Sequence, residues 1–198
     1  MNKPSFLFLL LIISMCLIGY YEAVSEQSAN IAIVKIFGLC SFLLLCISLI
    51  IGPLTVIDSN TFAPLIEPRR AVGIAAFVMA TIHYVLIAGT YYGWDFSQIG
   101  SEKSNVVGFF AMFTMVLLTI TSNDYSLKKL GPETWKKIQM INYLTFLLSF
   151  VHFIAKSKGD IAAELLLGFG VLTVILQIYG FVTKRAKMQK ASQNQQKV

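Results

Sequence analysis

The chain has 198 residues, of which 56% are hydrophobic and 13% are charged, with a formal net charge of +6 at pH 7 and a mean hydropathy of +0.70. Soluble domains carry roughly 25% charged residues, so this composition excludes a soluble globular protein and indicates a membrane protein. Three cysteines are too few for a disulfide scaffold, and 15 phenylalanines argue against a disordered chain.

The charged residues divide the chain into predicted membrane segments, because a charge at the bilayer centre costs roughly 2.5–3.5 kcal/mol. Six runs of 18 to 24 residues contain no charge, and about 20 apolar residues cross the hydrocarbon core as a helix. We therefore predict an all-α bundle of six transmembrane helices that forms a single domain over residues 1–183. The predicted helices cover residues 4–21, 31–57, 71–94, 104–123, 133–155 and 161–183.

The first predicted helix has an alternative as a cleaved signal peptide, with Lys3 before its apolar run and small residues at positions 23–25. Its 18 apolar residues exceed a usual signal-peptide core and favour a retained helix. The cysteines Cys16, Cys40 and Cys46 lie in apolar runs, where we expect them to be packing residues.

The segments between the predicted helices contain residues that mark helix ends and the membrane edge. The loop after the second helix contains two prolines and ends in Arg69 and Arg70. Gly131 and Pro132 predict the end of one helix and the start of the fifth near Pro132, which places Trp135 in an interfacial aromatic belt. Residues 184–198 are polar and basic, and we predict a disordered cytoplasmic tail that contacts membrane lipid.

The lysines and arginines predict the orientation of the bundle. The side with the N-terminus carries 12 basic and four acidic residues, whereas the other side carries four basic and six acidic residues. The positive-inside rule therefore places both termini in the cytoplasm, in a bacterial inner membrane. The excess of basic residues reflects this topology and does not indicate a nucleic-acid partner.

Both histidines of the chain, His83 and His152, fall within predicted spans. His83 follows Arg70 by 13 residues and His152 follows Lys137 by 15, which places them roughly 20 and 22 Å above the inner boundary. Two imidazoles at equal height on parallel helices suit a bis-histidine haem. Two alternatives stay open: a packing or hydrogen-bonding role, and a proton relay in a carrier.

Small residues precede each histidine at the same offsets. Ala76 and Ala80 lie seven and three residues before His83, and Thr145 and Ser149 do so before His152. On a helix these residues share the face of the histidine, so we predict that they line a pocket for a flat ring.

An ordered set of motifs resembles the ferric reductase-like transmembrane domain family. Within that family the chain is most similar to the haem-binding membrane subunit of the periplasmic methionine-sulfoxide reductase system. The resemblance covers residues 31–183. The motifs are Glu67-Pro-Arg-Arg-Ala-Val-Gly73 leading to His83, Leu118-Thr-Ile-Thr-Ser122, and Leu130-Gly-Pro-Glu-Thr-Trp135 leading through Tyr143 to His152.

The resemblance implies a cytochrome that carries haem b and belongs to an oxidoreductase. Electrons would pass from a cytosolic flavin reductase or a quinol to a periplasmic enzyme that repairs oxidised methionine. His83 and His152 match the family's outer haem ligands, so the resemblance makes them the axial ligands of the haem iron.

The chain departs from the family at Gln139, where the family has a histidine for a second, inner haem. The departure favours a single haem on the outer side. Arg69, Arg70 and Trp135 are candidates to bind a flavin (FMN or FAD), a quinone or a haem propionate at the inner side, and a flavin or quinone there could take the place of the inner haem. Two alternatives to that replacement stay open: an outer-side donor that reduces the haem directly, and a physiological reaction that differs from that of the family. Two other functions remain: a proton-coupled carrier without haem, and a haem-binding sensor or assembly protein.

Overall fold

The computed structural model describes residues 3–26, 28–157 and 159–195, in which no strand occurs. Six apolar stretches of these residues are long enough to cross a membrane, which confirms the predicted all-α bundle. The helices are α1 (Lys3–Ser25), α2 (Ala29–Ile57), α3 (Ser59–Phe62), α4 (Arg69–Thr90), α5 (Phe96–Ser101), α6 (Lys103–Thr121), α7 (Asp124–Leu130), α8 (Pro132–Gln139), α9 (Ile141–Lys156) and α10 (Ile161–Gln195).

The fifth span differs from the prediction because it consists of two helices, α8 and α9. The helices meet at Met140, whose backbone N–H donates to the carbonyls of Lys136 and Lys137. The predicted start at Pro132 is confirmed. Gly131 precedes it with φ of +75°, a left-handed conformation that glycine adopts without steric cost.

The predicted disordered tail is a second difference, since α10 continues to Gln195. Between Lys184 and Gln195 the chain has no proline or glycine and is rich in lysine, alanine and glutamine, which favour helix. The prediction of disorder over residues 184–195 was therefore wrong, while residues 196–198 lie outside the described part of the chain.

Helix α2 forms the centre of the bundle and packs against α1, α4 and α10. Its residues from Leu39 to Cys46 are all buried, as expected for an apolar helix surrounded by other helices. The close approach of α10 needs Gly180, because a Cβ atom there would lie 2.9 Å from the Cβ of Pro53. Helices α4, α6, α8 and α9 contribute to the walls of two cavities, which α2 also lines.

The two ends of the bundle carry different charges. At the basic end, Arg70 pairs with Asp124 at 2.7 Å and stacks on the ring of Trp135. At the acidic end, Lys35 pairs with Glu26 and Asp160. Between these ends the outer surface of the helices is apolar, in keeping with contact to lipid.

Candidate cofactor site between α4 and α9

His83 of α4 and His152 of α9 line the same cavity near the acidic end. The empty space between the lining side chains amounts to about 1120 Å³, part of it open to solvent. A cavity thus lies between two imidazoles that come from different helices.

Each histidine ring is held by a backbone carbonyl of a neighbouring helix. The Nδ1 of His83 lies 2.8 Å from the carbonyl oxygen of Val34 on α2, and the Nδ1 of His152 lies 2.7 Å from that of Ser104 on α6. A carbonyl oxygen can only accept, so Nδ1 carries the hydrogen of each neutral ring. Nε2 is then the unprotonated nitrogen, as a metal ligand requires.

Each ring also packs against a glycine. A Cβ atom at Gly38 of α2 would lie 2.9 Å from Cε1 of His83, and a Cβ atom at Gly108 of α6 would lie 2.8 Å from Nδ1 of His152. Real Cβ atoms are essentially never this close to a neighbour. The glycines therefore let both rings lie against the adjacent helix and reach their carbonyl partners.

The cavity is built from two matching helix pairs, α2 with α4 and α6 with α9. The lining positions of α2 recur on α6 after 70 residues, and those of α4 recur on α9 after 69. The pairs are Lys35 and Asn105, Gly38 and Gly108, Leu39 and Phe109, Ser41 and Ala111, Phe42 and Met112, Leu45 and Met115, Ala80 and Ser149, His83 and His152, Tyr84 and Phe153, and Ile87 and Lys156. The two histidines thus occupy equivalent positions on either side of one cavity.

Two of the four predicted pocket residues line this cavity, namely Ala80 and Ser149. Ala76 and Thr145 instead lie fully buried between the helices of each pair. The carbonyl of Ala76 accepts a hydrogen bond from Ser41, while Thr145 donates to Thr114. Ala76 and Thr145 lie seven residues before their histidines, about one helical turn further away than Ala80 and Ser149. At that distance they allow close packing of the helices.

A second cavity lies towards the basic end. Its lining includes Arg69, Arg70 and Trp135, which the sequence analysis had grouped, and its empty space is about 1610 Å³, again partly open. Arg69 donates from Nε to the carbonyl of Ser48 at 2.7 Å. Leu45 and Met115 line both cavities, so the two cavities are neighbours.

Gln139 also lines the basic-end cavity. Its Nε2 lies 3.1 Å from Oγ1 of Thr121 and 3.4 Å from Oγ of Ser122, at the end of α6. The amide therefore binds protein hydroxyls. Since the sequence contains two histidines and both line the other cavity, the basic-end cavity offers no imidazole for a haem.

A charge network adjoins the His83–His152 cavity at the acidic end. Lys35 contacts three carboxylates, those of Glu22, Glu26 and Asp160, and both Lys35 and Asp160 line the cavity. Burial acts to raise the pKa of Asp160, but the hydrogen bond from Lys35 at 2.7 Å holds that pKa below its ordinary value. Glu22 is fully buried, and within the part of the chain that the structure describes neither of its oxygens has a hydrogen-bond partner.

The sequence analysis missed the glycines, the carbonyl partners and this network. One signal was present in the sequence: Gly38 and Gly108 precede the two histidines by 45 and 44 residues. A comparison of the chain with itself at offsets of 69 and 70 residues would have paired them. The network gave no comparable signal, because Glu22 and Asp160 are 138 residues apart and meet only through packing of α1 and α10 on α2.

Residues 37–150, more than half of the chain, match the family model described as "Ferric reductase like transmembrane component". Three similar curated proteins are each named "Protein-methionine-sulfoxide reductase heme-binding subunit MsrQ". The protein of Agrobacterium fabrum is 26% identical over 79% of this chain and 75% of its own length. Those of Brucella ovis and Brucella anthropi are 27% and 26% identical, over 63% and 77% of this chain and 56% and 69% of their own lengths. No solved structure is a significant match.

Proposed function

The chain belongs to the ferric reductase-like transmembrane component family, and from this premise we propose that it is a haem-binding electron-transfer protein of the membrane. One b-type haem would be held between α4 and α9, with His83 and His152 as the residues that bind its iron. The observation that carries the proposal is the equivalent placement of the two imidazoles, each with Nδ1 bound to a carbonyl. The names of the three relatives support the same cofactor.

The residues of the chain fit this cofactor. Carbonyls of Val34 and Ser104 fix the tautomer and orientation of the rings, which leaves one Nε2 on each side of the cavity for the iron. Apolar side chains such as Phe42, Leu45 and Met115 exclude water and thereby influence the reduction potential. The haem, when bound, supplies the one-electron chemistry, while the chain determines its position and its potential.

The basic-end cavity is the entry point for electrons in this proposal. Its arginines and Trp135 suit a flavin or a quinone, because guanidinium groups bind anionic or carbonyl oxygens and aromatic rings stack on flat ring systems. Leu45 and Met115 line both this cavity and the proposed haem site, so the two sites are neighbours. A second haem is not expected there, since Gln139 stands where the family has a histidine.

The orientation of the bundle follows from its charges. We propose that the basic end and both termini face the cytoplasm of a bacterium and that the acidic end faces the periplasm. A cytosolic flavin reductase or a quinol then reduces the protein from the basic end. The acceptor is an outer enzyme, and the names of the relatives support a methionine-sulfoxide reductase as its class.

Replacing either histidine tests the proposal directly. His83→Ala and His152→Ala remove one iron ligand each, so we expect purified protein with less than a tenth of the wild-type haem per chain, measured from the pyridine haemochrome spectrum. Gln139→Ala is the matched control in the other cavity and should retain the wild-type haem content.

Three outcomes contradict the proposal or part of it. Retention of low-spin haem in both histidine variants would mean that other residues bind the iron. Loss of haem from the Gln139 variant would place a ligand in the wrong cavity. A folded wild-type protein with no Soret band after expression with added haem precursor would favour the alternative of a proton-coupled carrier.

A further inference from the structure

The His83–His152 cavity is apolar at one end and charged at the other. Towards the basic end its lining consists of side chains such as Phe42, Leu45, Met112 and Met115. At the rim near the acidic end lie Lys35, Asn105, Lys156, Ser157 and Asp160. A ligand with one apolar edge and one anionic edge therefore fits the cavity in a single orientation.

The equivalence of the two helix pairs breaks down at this rim. Lys35 of α2 corresponds to Asn105 of α6, and Lys156 of α9 corresponds to Ile87 of α4. Each side of the rim thus has one lysine, supplied by a different helix. Because the two lysines have different carboxylate neighbours, the two sides of the rim differ in how well they bind an anion.

Lys35 is already compensated by protein carboxylates. Its ammonium contacts Glu26 and Asp160 and lies 3.8 Å from a Glu22 oxygen. With Glu26 and Asp160 in direct contact, the charge of Lys35 is already compensated on that side of the rim. A further anion there is opposed by electrostatic repulsion.

Lys156 has one carboxylate partner, Glu102, at 2.5 Å. The Glu102 side chain is 46% exposed, so water screens its charge and weakens its competition for Lys156. Tyr92 donates to the other oxygen of Glu102 at 2.9 Å, and Asn105 donates from Nδ2 to the Tyr92 hydroxyl at 2.8 Å. This chain of contacts holds Lys156 and Asn105 together at one side of the rim.

Lys156 also has a fixed relation to the histidine ligand. It follows His152 by four residues, one helical turn, and therefore shares its face of α9. Asn105 directly follows Ser104, whose carbonyl orients the His152 ring. Both polar groups are thus placed by the same elements that position the imidazole.

We propose that Lys156 and Asn105 form a carboxylate subsite that binds a propionate of the haem and directs the propionate edge towards the acidic end. This inference rests on the proposed function. Lys156 supplies the charge, Asn105 supplies an amide N–H donor, and Glu102 is a positioning residue for Lys156.

The test compares two haems that differ only in their carboxylates. Full-length apo-protein in detergent is titrated with haem b and with its dimethyl ester, and the ratio of the two dissociation constants is measured by Soret absorption. The dimethyl ester lacks the charged carboxylates, so it loses the charge-assisted hydrogen bonds that the subsite would provide. We expect wild-type protein to prefer haem b by about tenfold and Lys156→Gln to lose most of this preference.

Two further variants complete the experiment. Lys103→Gln removes an exposed cation from the same end of the bundle, outside the cavity lining, and should keep the wild-type preference. Lys156→Arg retains the charge and should keep most of it. Comparing ratios between variants cancels the different partition of the two haems into detergent.

The outcomes separate this inference from the proposed function. If the wild-type protein binds neither haem, the proposed function fails and the subsite fails with it. If haem b binds but Lys156→Gln keeps the full preference over the ester, the haem site stands and the subsite is wrong. A Lys156→Gln protein that does not fold leaves Asn105→Ala to decide, since loss of an amide donor should also reduce the preference.

Discussion

Two glycines determine how the histidine rings are placed. Because a Cβ atom at Gly38 or Gly108 would lie 2.9 or 2.8 Å from a ring atom, Gly38→Ala and Gly108→Ala must displace the rings from their carbonyl partners. Overpacking of this kind costs roughly 1–3 kcal/mol, so we expect haem affinity to fall about tenfold. The measurement is a haem titration followed by the Soret band.

Glycines elsewhere in the helices provide matched controls. At Gly19 of α1 and Gly168 of α10 an added Cβ meets no atom within 4 Å. Alanine at either position should leave haem affinity unchanged, since alanine is the better helix former. Equal losses in all four variants would show that the effect comes from the helix backbone and not from the rings.

From the pKa of Asp160 we predict how the stability of the folded protein changes at acid pH. Burial opposes its charge, but the hydrogen bond from Lys35 holds its pKa below the ordinary value of 3.8 in the folded protein. The resulting stabilisation is present above pH 3.8 and is lost as the pH falls through the folded pKa. The melting temperature of wild-type protein should therefore drop below about pH 4, and Asp160→Asn should flatten that part of the curve.

The control for this pH dependence is Glu133→Gln, which removes an exposed carboxylate of α8 at the basic end. Its melting curve should keep the wild-type shape between pH 6 and pH 3. If Asp160→Asn shows the same acid-dependent drop as wild type, the ion pair with Lys35 does not contribute to acid sensitivity.

The sequence identified the two histidines as candidate ligands, but it did not identify the groups that bind their rings. Two histidines at equal depth could be recognised from the spacing to Arg70 and Lys137. The carbonyls of Val34 and Ser104 could not, because any residue carries a carbonyl and only the packing of α2 on α4 and of α6 on α9 brings these two to the rings. Ala76 and Thr145 show the same limit. Each shares a helix face with a histidine, but the sequence alone does not show whether a residue on that face lines a cavity or contacts another helix.

At the scale of elements, the Lys35 network joins α1, α2 and the start of α10. Glu22 is fully buried, has no hydrogen-bond partner among the described residues, and lies 3.8 Å from the ammonium of Lys35. Removing one partner of a buried pair is more costly than removing both. We expect Lys35→Met to lower the free energy of unfolding by about 2 kcal/mol, given that Lys35 is partly exposed.

A double-mutant cycle checks this prediction. Glu22→Gln in the Lys35→Met background should restore part of the lost melting temperature, because it removes the buried charge. Lys103→Met, at the same end and exposed, should melt like wild type. A Lys35→Met protein with wild-type stability would mean that the network does not hold the three helices together.

The elements themselves were predictable to different degrees. Charge-free runs located all six spans because the bilayer excludes charges wherever the chain crosses it. The break at Met140 was not predicted, since residues 138–142 contain neither proline nor glycine to mark it. The helical end of α10 was missed because polar composition was read as disorder, although its residues individually favour helix.

At the scale of the whole molecule, two equivalent helix pairs enclose one cavity that contains both imidazoles. A second cavity adjoins it towards the basic end. In the proposed function, His83 and His152 provide the ligand pair of the first cavity, whereas the basic-end cavity is lined by Gln139, two arginines and Trp135. The account therefore predicts one haem and one different cofactor along a path from the basic end to the acidic end.

The most direct test is the visible spectrum of detergent-purified protein, oxidised and then reduced with dithionite, with haem quantified per chain. The account predicts one low-spin, bis-histidine b-type haem per chain. Two haems per chain would show that Gln139 or another group ligates iron in the basic-end cavity. A folded protein without haem would contradict the central claim.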